Sequence, residues 1–130
     1  MYTVLLVDDD DADHYLCQQI FRRSGQEIEL LIAIDGLDAL EKIEQHPGSI
    51  DLILLDINMP RMNGHEFLAK YQERATEPIP IVAMLTSSDQ TDDREQALRY
   101  ECVRDYLLKP LGKGDVAKLV QVVDEAKGSQ

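Results

Sequence analysis

Five aspartates crowd together at Asp8, Asp9, Asp10, Asp11 and Asp13, directly after the apolar run at residues 4–7. A further aspartate, Asp56, closes the apolar run 52–55 and is followed by Ile57, Asn58, Met59 and Pro60. Thr86, Ser87 and Ser88 close the run 79–85, and Lys109 and Pro110 close the run 106–108. Carboxylates gathered at one point repel each other and call for a hard divalent cation. Mg²⁺ prefers a few carboxylates together with waters and phosphate oxygens. A carboxylate can also attack phosphorus and become an aspartyl phosphate. A lysine would neutralise the phosphoryl oxygens and a hydroxyl would donate a hydrogen bond to them. These residues are therefore the parts of a phosphoryl transfer to aspartate, provided the fold brings them together.

The elements between them say that it does. Short apolar runs at 4–7, 30–34, 52–55, 79–85 and 106–108 lack alternation, as suits strands buried on both faces of a parallel sheet. Helical stripes lie between the runs. Leu16, Cys17, Ile20 and Phe21 predict the first, with Gly25 as its stop. Leu37, Leu40 and Ile43 predict the second, stopped by Pro47 and Gly48, and Phe67, Leu68 and Tyr71 the third. Thr91 is expected to cap the fourth, ahead of Asp92, Asp93 and Glu95. Val116, Leu119, Val120 and Val123 follow the helical period most cleanly and give the fifth. Five βα units predict an α/β fold: a five-stranded parallel sheet with helices on both faces and right-handed crossovers. Ligands of such sheets bind beyond the carboxyl ends of the strands, which is where the aspartates, the hydroxyls and the lysine fall.

The chain has 130 residues, of which 44% are hydrophobic and 29% charged, and one domain over residues 1–130 with no output domain is expected. With 13 basic and 25 acidic side chains its formal charge is −12, which argues against nucleic acid or anionic membrane as a partner. An aromatic content of 5% is too low for a base-stacking platform. No apolar run approaches the roughly 20 residues needed to span a bilayer, and no signal peptide is visible, so a cytoplasmic location is expected. Cys17 and Cys102 form no metal or redox pattern. Residues 1–93 hold 6 Lys and Arg against 19 Asp and Glu, whereas residues 94–130 hold 7 against 6. That near-neutral third, from helix four through strand five to helix five, is the expected partner-binding face, with Arg99 and Arg104 on it.

The motifs VLLVDD ending at Asp9, LILLDINMPRMNG at residues 52–64, MLTSS at 84–88 and YLLKP at 106–110 occur in this order across the chain. In them the sequence resembles the receiver domain of two-component response regulators, in the stand-alone form related to the chemotaxis regulator. The resemblance implies a flavodoxin-like (βα)5 fold with strand order 2-1-3-4-5 and a phosphorylation-activated signalling switch. Asp56 would be the phosphoacceptor. Asp8, Asp9, Asp56 and the backbone carbonyl of Asn58 would hold Mg²⁺. Thr86 would bond a phosphoryl oxygen, and Lys109 would pair with Asp56 or its phosphate across a cis Lys109–Pro110 bond. Tyr106 would follow Thr86 inward as a switch residue, and Gly64 would serve the turn after the phosphorylation loop. The implied partners are a sensor histidine kinase or histidine phosphotransfer protein, a downstream protein target and a second copy of the chain. The implied protein is not an enzyme with an outside substrate, but one that catalyses only its own phosphorylation and dephosphorylation.

Plainer readings stand beside these. Asp10, Asp11 and Asp13 read as helix-capping, solvated charges, and Tyr106 reads equally as core or as switch. His14 is expected on a helix surface, His46 in a loop, and Cys17 in the core. A flavodoxin-like cofactor binder would want a Gly/Ser/Thr-rich phosphate loop where this chain has aspartates. An aspartyl-phosphate phosphatase would want an acid where Asn58 stands. A calcium loop counted from Asp8 would want Gly at Asp13 and Glu at Gln19. A receiver-like docking module without phosphorylation would be expected to lack a site residue, and none is missing.

Overall fold

The computed structural model describes residues 2–74 and 80–128. Its elements alternate as β1 (Tyr2–Val7), α1 (Asp11–Arg23), β2 (Ile28–Ala33), α2 (Gly36–Gln45), β3 (Leu52–Leu55), α3 (Gly64–Arg74), β4 (Ile81–Thr86), α4 (Thr91–Leu98), β5 (Val103–Leu108) and α5 (Lys113–Gly128). All strand pairs are parallel, in the order β2-β1-β3-β4-β5. The unbroken apolar runs occupy the three inner strands, which are buried almost throughout, while β2 at one edge leaves Glu29 exposed. Strands β2 and β5 begin earlier than their apolar runs, because Ile28, Glu29, Val103 and Asp105 still find ladder partners, with Arg104 skipped at a register shift. Ile34 lies beyond β2 and is exposed, and Ile79 lies outside the described residues.

Alternate strand residues feed two cores. Leu5, Val7, Ile53, Leu55, Val82 and Met84 face α2, α3 and α4, where Phe67 and Leu68 are fully buried. Val4, Leu6, Leu52, Leu54, Ala83 and Leu85 face Cys17 and Phe21 of α1 and Val116, Leu119 and Val123 of α5. Helix α1 starts on the Asp10 carboxylate, which accepts from the Ala12 N–H at 2.8 Å, and ends at Ser24, with Gly25 at φ +80° supplying the left-handed exit.

Several helical expectations need correction. On α1 the buried stripe is His14, Cys17 and Phe21; Leu16 points to solvent, 52% exposed, because the helix turns it away from the sheet. His14 is therefore not a surface residue: its ring is buried and its Nε2 lies 2.6 Å from the Asp8 carbonyl oxygen. Leu37 on α2 is likewise 44% exposed, since Ala39 and Leu40 take the inward positions. Thr91 does not cap α4; it is the first helical residue, Gln90 is the cap, and Gln90 offers no side-chain bond to the helix.

Candidate functional site

Strands β1 and β3 run side by side with Val7 opposite Leu55, so Asp8 and Asp56 leave the sheet at the same level. Asp8 N–H donates to Ala33 O and Asp56 N–H to Val7 O, which extends the ladder by one residue on each strand. Both carboxylates are buried, Asp8 completely and Asp56 to 6% exposure. With exposed Asp9 they place one oxygen each within 4.8 Å of one another. Asp56 Oδ1 accepts from the Ile57 N–H at 2.7 Å and Oδ2 from Lys109 at 2.9 Å.

Lys109 reaches across from the end of β5, whose backbone continues onto β4 through the bond from Lys109 N–H to Thr86 O. Its Nζ lies 2.8 Å from Asp8, 2.9 Å from Asp56 and 2.6 Å from Asp13. Burial works against the ammonium charge, but the bonds to Asp13, Asp8 and Asp56 outweigh it and hold the lysine pKa well above its ordinary value. Burial dominates at Asp8 and pushes its pKa up, despite Lys109 and the Asp10 N–H. Asp8 Oδ2 is ion-paired with the Lys109 ammonium at 2.8 Å, although the angles of that contact are poor for a hydrogen bond. The Lys109–Pro110 bond is cis.

Asp13 was not expected here. Its spacing reads as helix capping, yet α1 turns it inward to the lysine, while Asp10 does the capping and Asp11 stays exposed. Thr86 is fully buried at the end of β4, and its Oγ1 accepts from Ser88 N–H at 3.3 Å. The Ser88 carbonyl accepts from the Tyr106 hydroxyl at 2.9 Å, and the Ser88 hydroxyl donates to Asp93 at 2.6 Å. Asp93 also meets His65 Nε2 at 3.0 Å, and the bonds from Ser88 and His65 hold its carboxyl pKa below the usual range. Arg94 lies over the Tyr106 ring. Tyr106 is thus a core residue with its hydroxyl tied to the β4–α4 loop.

Asn58 is exposed in the β3–α3 loop. That loop is closed by Gly64, whose N–H donates to Ile57 O at 2.8 Å, and a Cβ there would stand 2.4 Å from Asp56 O. Cys17 is buried, with its thiol pushed up to about 12 by burial and by Asp8 and Asp13; Cys102 is buried too, and both are free. No helix among the described residues is long and apolar enough to cross a membrane.

The model of the response regulator receiver domain matches residues 4–121. The chain belongs to this family. Receiver domains are the phosphorylation-controlled signalling switches of two-component systems, and this chain is one of them. It is 34% identical over 128 residues to the response regulator Rcp1 of Synechocystis sp., covering 93% of this chain and 85% of that protein. A two-component response regulator from Cytophaga hutchinsonii superposes with a TM-score of 0.86 at 29% identity, covering 96% of this chain and 98% of that one. A CheX–CheY–BeF3–Mg²⁺ complex from Borrelia burgdorferi matches at a TM-score of 0.79 and 30% identity, over 94% of this receiver domain and 88% of the matched chain. These relatives favour neither a flavin-type binder, a phosphatase nor an unphosphorylated docking module.

Proposed function

We propose that Asp56 accepts a phosphoryl group from a phosphohistidine on a sensor histidine kinase or phosphotransfer protein, at a Mg²⁺ site formed by Asp8, Asp9, Asp56 and the Asn58 carbonyl. The observation that carries this reading is the meeting of three carboxylate oxygens within 4.8 Å beside an ammonium, at the carboxyl rim of the sheet. The donor set fits a hard cation: the oxygens are anionic, and buried Asp8 Oδ2 has the Lys109 ammonium beside it at a poor angle for a hydrogen bond. Mg²⁺ there supplies charge neutralisation for the carboxylates and for the incoming phosphoryl oxygens.

An Asp56 oxygen attacks phosphorus in line as the bond to the histidine nitrogen breaks. The Ile57 N–H and Lys109 hold the Asp56 carboxylate in place for this. Water attacking the same phosphorus returns the carboxylate, so the chain catalyses its own modification and its reversal. The new dianion attracts Lys109 and the Thr86 hydroxyl, whose oxygen accepts from Ser88 N–H and which can also donate. Movement of Thr86 disturbs Ser88, and with it the bonds to Tyr106 and Asp93. That carries the signal to α4, β5 and α5, the face we assign to the downstream protein and to a second copy of the chain. The two free cysteines suit the reducing cytoplasm.

The test is intact mass after incubation with acetyl phosphate, for the wild type and Asp56→Asn, each with Mg²⁺ and with EDTA. One labile phosphoryl adduct, confined to the wild type with Mg²⁺, is the expected outcome. An adduct that survives in Asp56→Asn, or forms equally in EDTA, would overturn the assignment.

A further inference from the structure

The β3–α3 loop lies directly between Asp56 and α3, yet neither end of it explains what holds its middle. Gly64 fixes the far end against Ile57. The middle is docked sideways onto the β2–α2 connection. Gly36 N–H donates to Met62 O at 3.0 Å, and the Met62 side chain lies where a Gly36 Cβ would be. Beside this contact, Arg61 donates from Nε to Asp35 Oδ2 at 2.6 Å and from Nη2 to Asp35 Oδ1 at 3.1 Å. Two parallel bonds from one guanidinium fix orientation as well as distance.

Both partners carry features that a casual surface pair lacks. The Asp35 side chain is 1% exposed and also caps α2, accepting from Asp38 N–H at 2.9 Å. Burial pushes its carboxyl up, but Arg61 and the helix N–H groups more than reverse this and keep it ionised. Arg61 itself sits at φ +61°, the one non-glycine residue in the left-handed region among the described residues. Glycine would take that conformation more readily, so the local backbone alone gives no reason for an arginine there.

We propose that Arg61 is a positioning residue: its two-bond clamp on Asp35 pins the β3–α3 loop and so presents the Asn58 carbonyl to the cation site. The functional half of this statement rests on the Mg²⁺ reading above; the clamp itself does not. The loop is fastened to a neighbouring, helix-capping carboxylate rather than to the site it serves, so the Arg61 guanidinium itself makes no bond to Asp56.

The test compares wild type, Arg61→Gly and Arg61→Lys. Glycine accepts the backbone conformation and removes the clamp; lysine keeps the charge and loses the fork. Amide hydrogen exchange at Gly36, measured without metal, reports the bond to Met62, while exchange at Gly64 serves as the internal control. Mg²⁺ affinity is measured separately by calorimetry. Arg61→Gly is expected to speed Gly36 exchange with Gly64 little changed, and to weaken Mg²⁺ binding about tenfold, the usual effect of losing an outer-shell contact. Arg61→Lys is expected to fail similarly. Unchanged exchange at Gly36 overturns the clamp, and faster exchange with unchanged Mg²⁺ affinity overturns the positioning role. If not even the wild type binds Mg²⁺, the metal reading falls and the positioning role with it, while the exchange result still decides the clamp.

Discussion

Lys109 Nζ lies 2.6 Å from Asp13 Oδ2, nearer than the 2.9 Å that separates it from the Asp56 oxygen it is expected to serve. The lysine that the proposed reaction pairs with the phosphoryl group is thus also held by an additional carboxylate on α1.

In the proposed reaction Asp13 would compete with the phosphoryl oxygens for the same ammonium. In Asp13→Asn that competition weakens, and the steady-state phosphorylated fraction in acetyl phosphate is expected to rise. The increase should be about two- to fivefold in the ratio of phosphorylated to free protein, the range of a partly exposed ion pair. Intact mass at a fixed donor concentration measures it, and a fall in that ratio would show that Asp13 assists the transfer instead.

Asp8 gives a prediction about metal and pH. Its pKa is raised above 3.8, chiefly by burial, so the folded state binds this proton more tightly than the unfolded chain does. The stabilising contribution of that proton is complete below the unfolded pKa and is lost as pH rises through the higher folded value. At pH 7 the charged Asp8 consequently weighs against the metal-free fold. Asp8→Asn should be more stable than wild type in EDTA, by about 1 kcal/mol, because Lys109 and the Asp10 N–H do not fully offset the burial of the charge. The advantage should shrink as the pH falls towards 4, and Mg²⁺ should stabilise the wild type more than the variant. Thermal melts across pH, with and without Mg²⁺, measure all three.

Two glycines of the site region should respond differently to alanine. A Cβ at Gly64 would meet backbone, 2.4 Å from Asp56 O and 2.9 Å from Ile57 Cα. The three atoms nearest a Cβ at Gly36 all belong to the Met62 side chain, at 2.6 to 2.9 Å. Gly64→Ala should cost about 3 kcal/mol and shift the Asp56 peptide, whereas Gly36→Ala should cost about 1 kcal/mol as Met62 swings aside. Urea melts give the stabilities, and an equal loss in both would mean that backbone and side-chain neighbours yield equally.

The inner strands were legible because burial on both faces leaves an uninterrupted apolar run, as at residues 52–55. The residues closing those runs were legible for the same reason: Asp8, Asp56 and Lys109 sit one step beyond a strand whose direction is fixed, and Thr86 is the last residue of one. Helix faces were less so. Leu16 and Leu37 look like core by type, but the identity of a residue does not state the helix rotation that exposes it. The contacts of Asp13 with Lys109, Arg61 with Asp35 and His65 with Asp93 join residues 96, 26 and 28 positions apart, from elements whose relative placement only the packed sheet defines. An aspartate in the first turn of a helix has a sufficient local explanation, and in Asp13 that explanation concealed the longer-range one. Nothing in the sequence around Arg61 signals the clamp: the φ of +61° that sets this residue apart belongs to the folded loop.

The ammonium that reconciles Asp8, Asp13 and Asp56 comes 53 residues after the last of them. On a ribosome the acidic strand ends emerge first, and they repel one another while the segment bearing Lys109 is still unmade. A nascent chain truncated before β5 has the apolar runs for most of the sheet but lacks the ammonium that the finished chain places at its centre. Folding is thereby weighted towards the moment when the final third has been synthesised, and incomplete chains are left open to quality control.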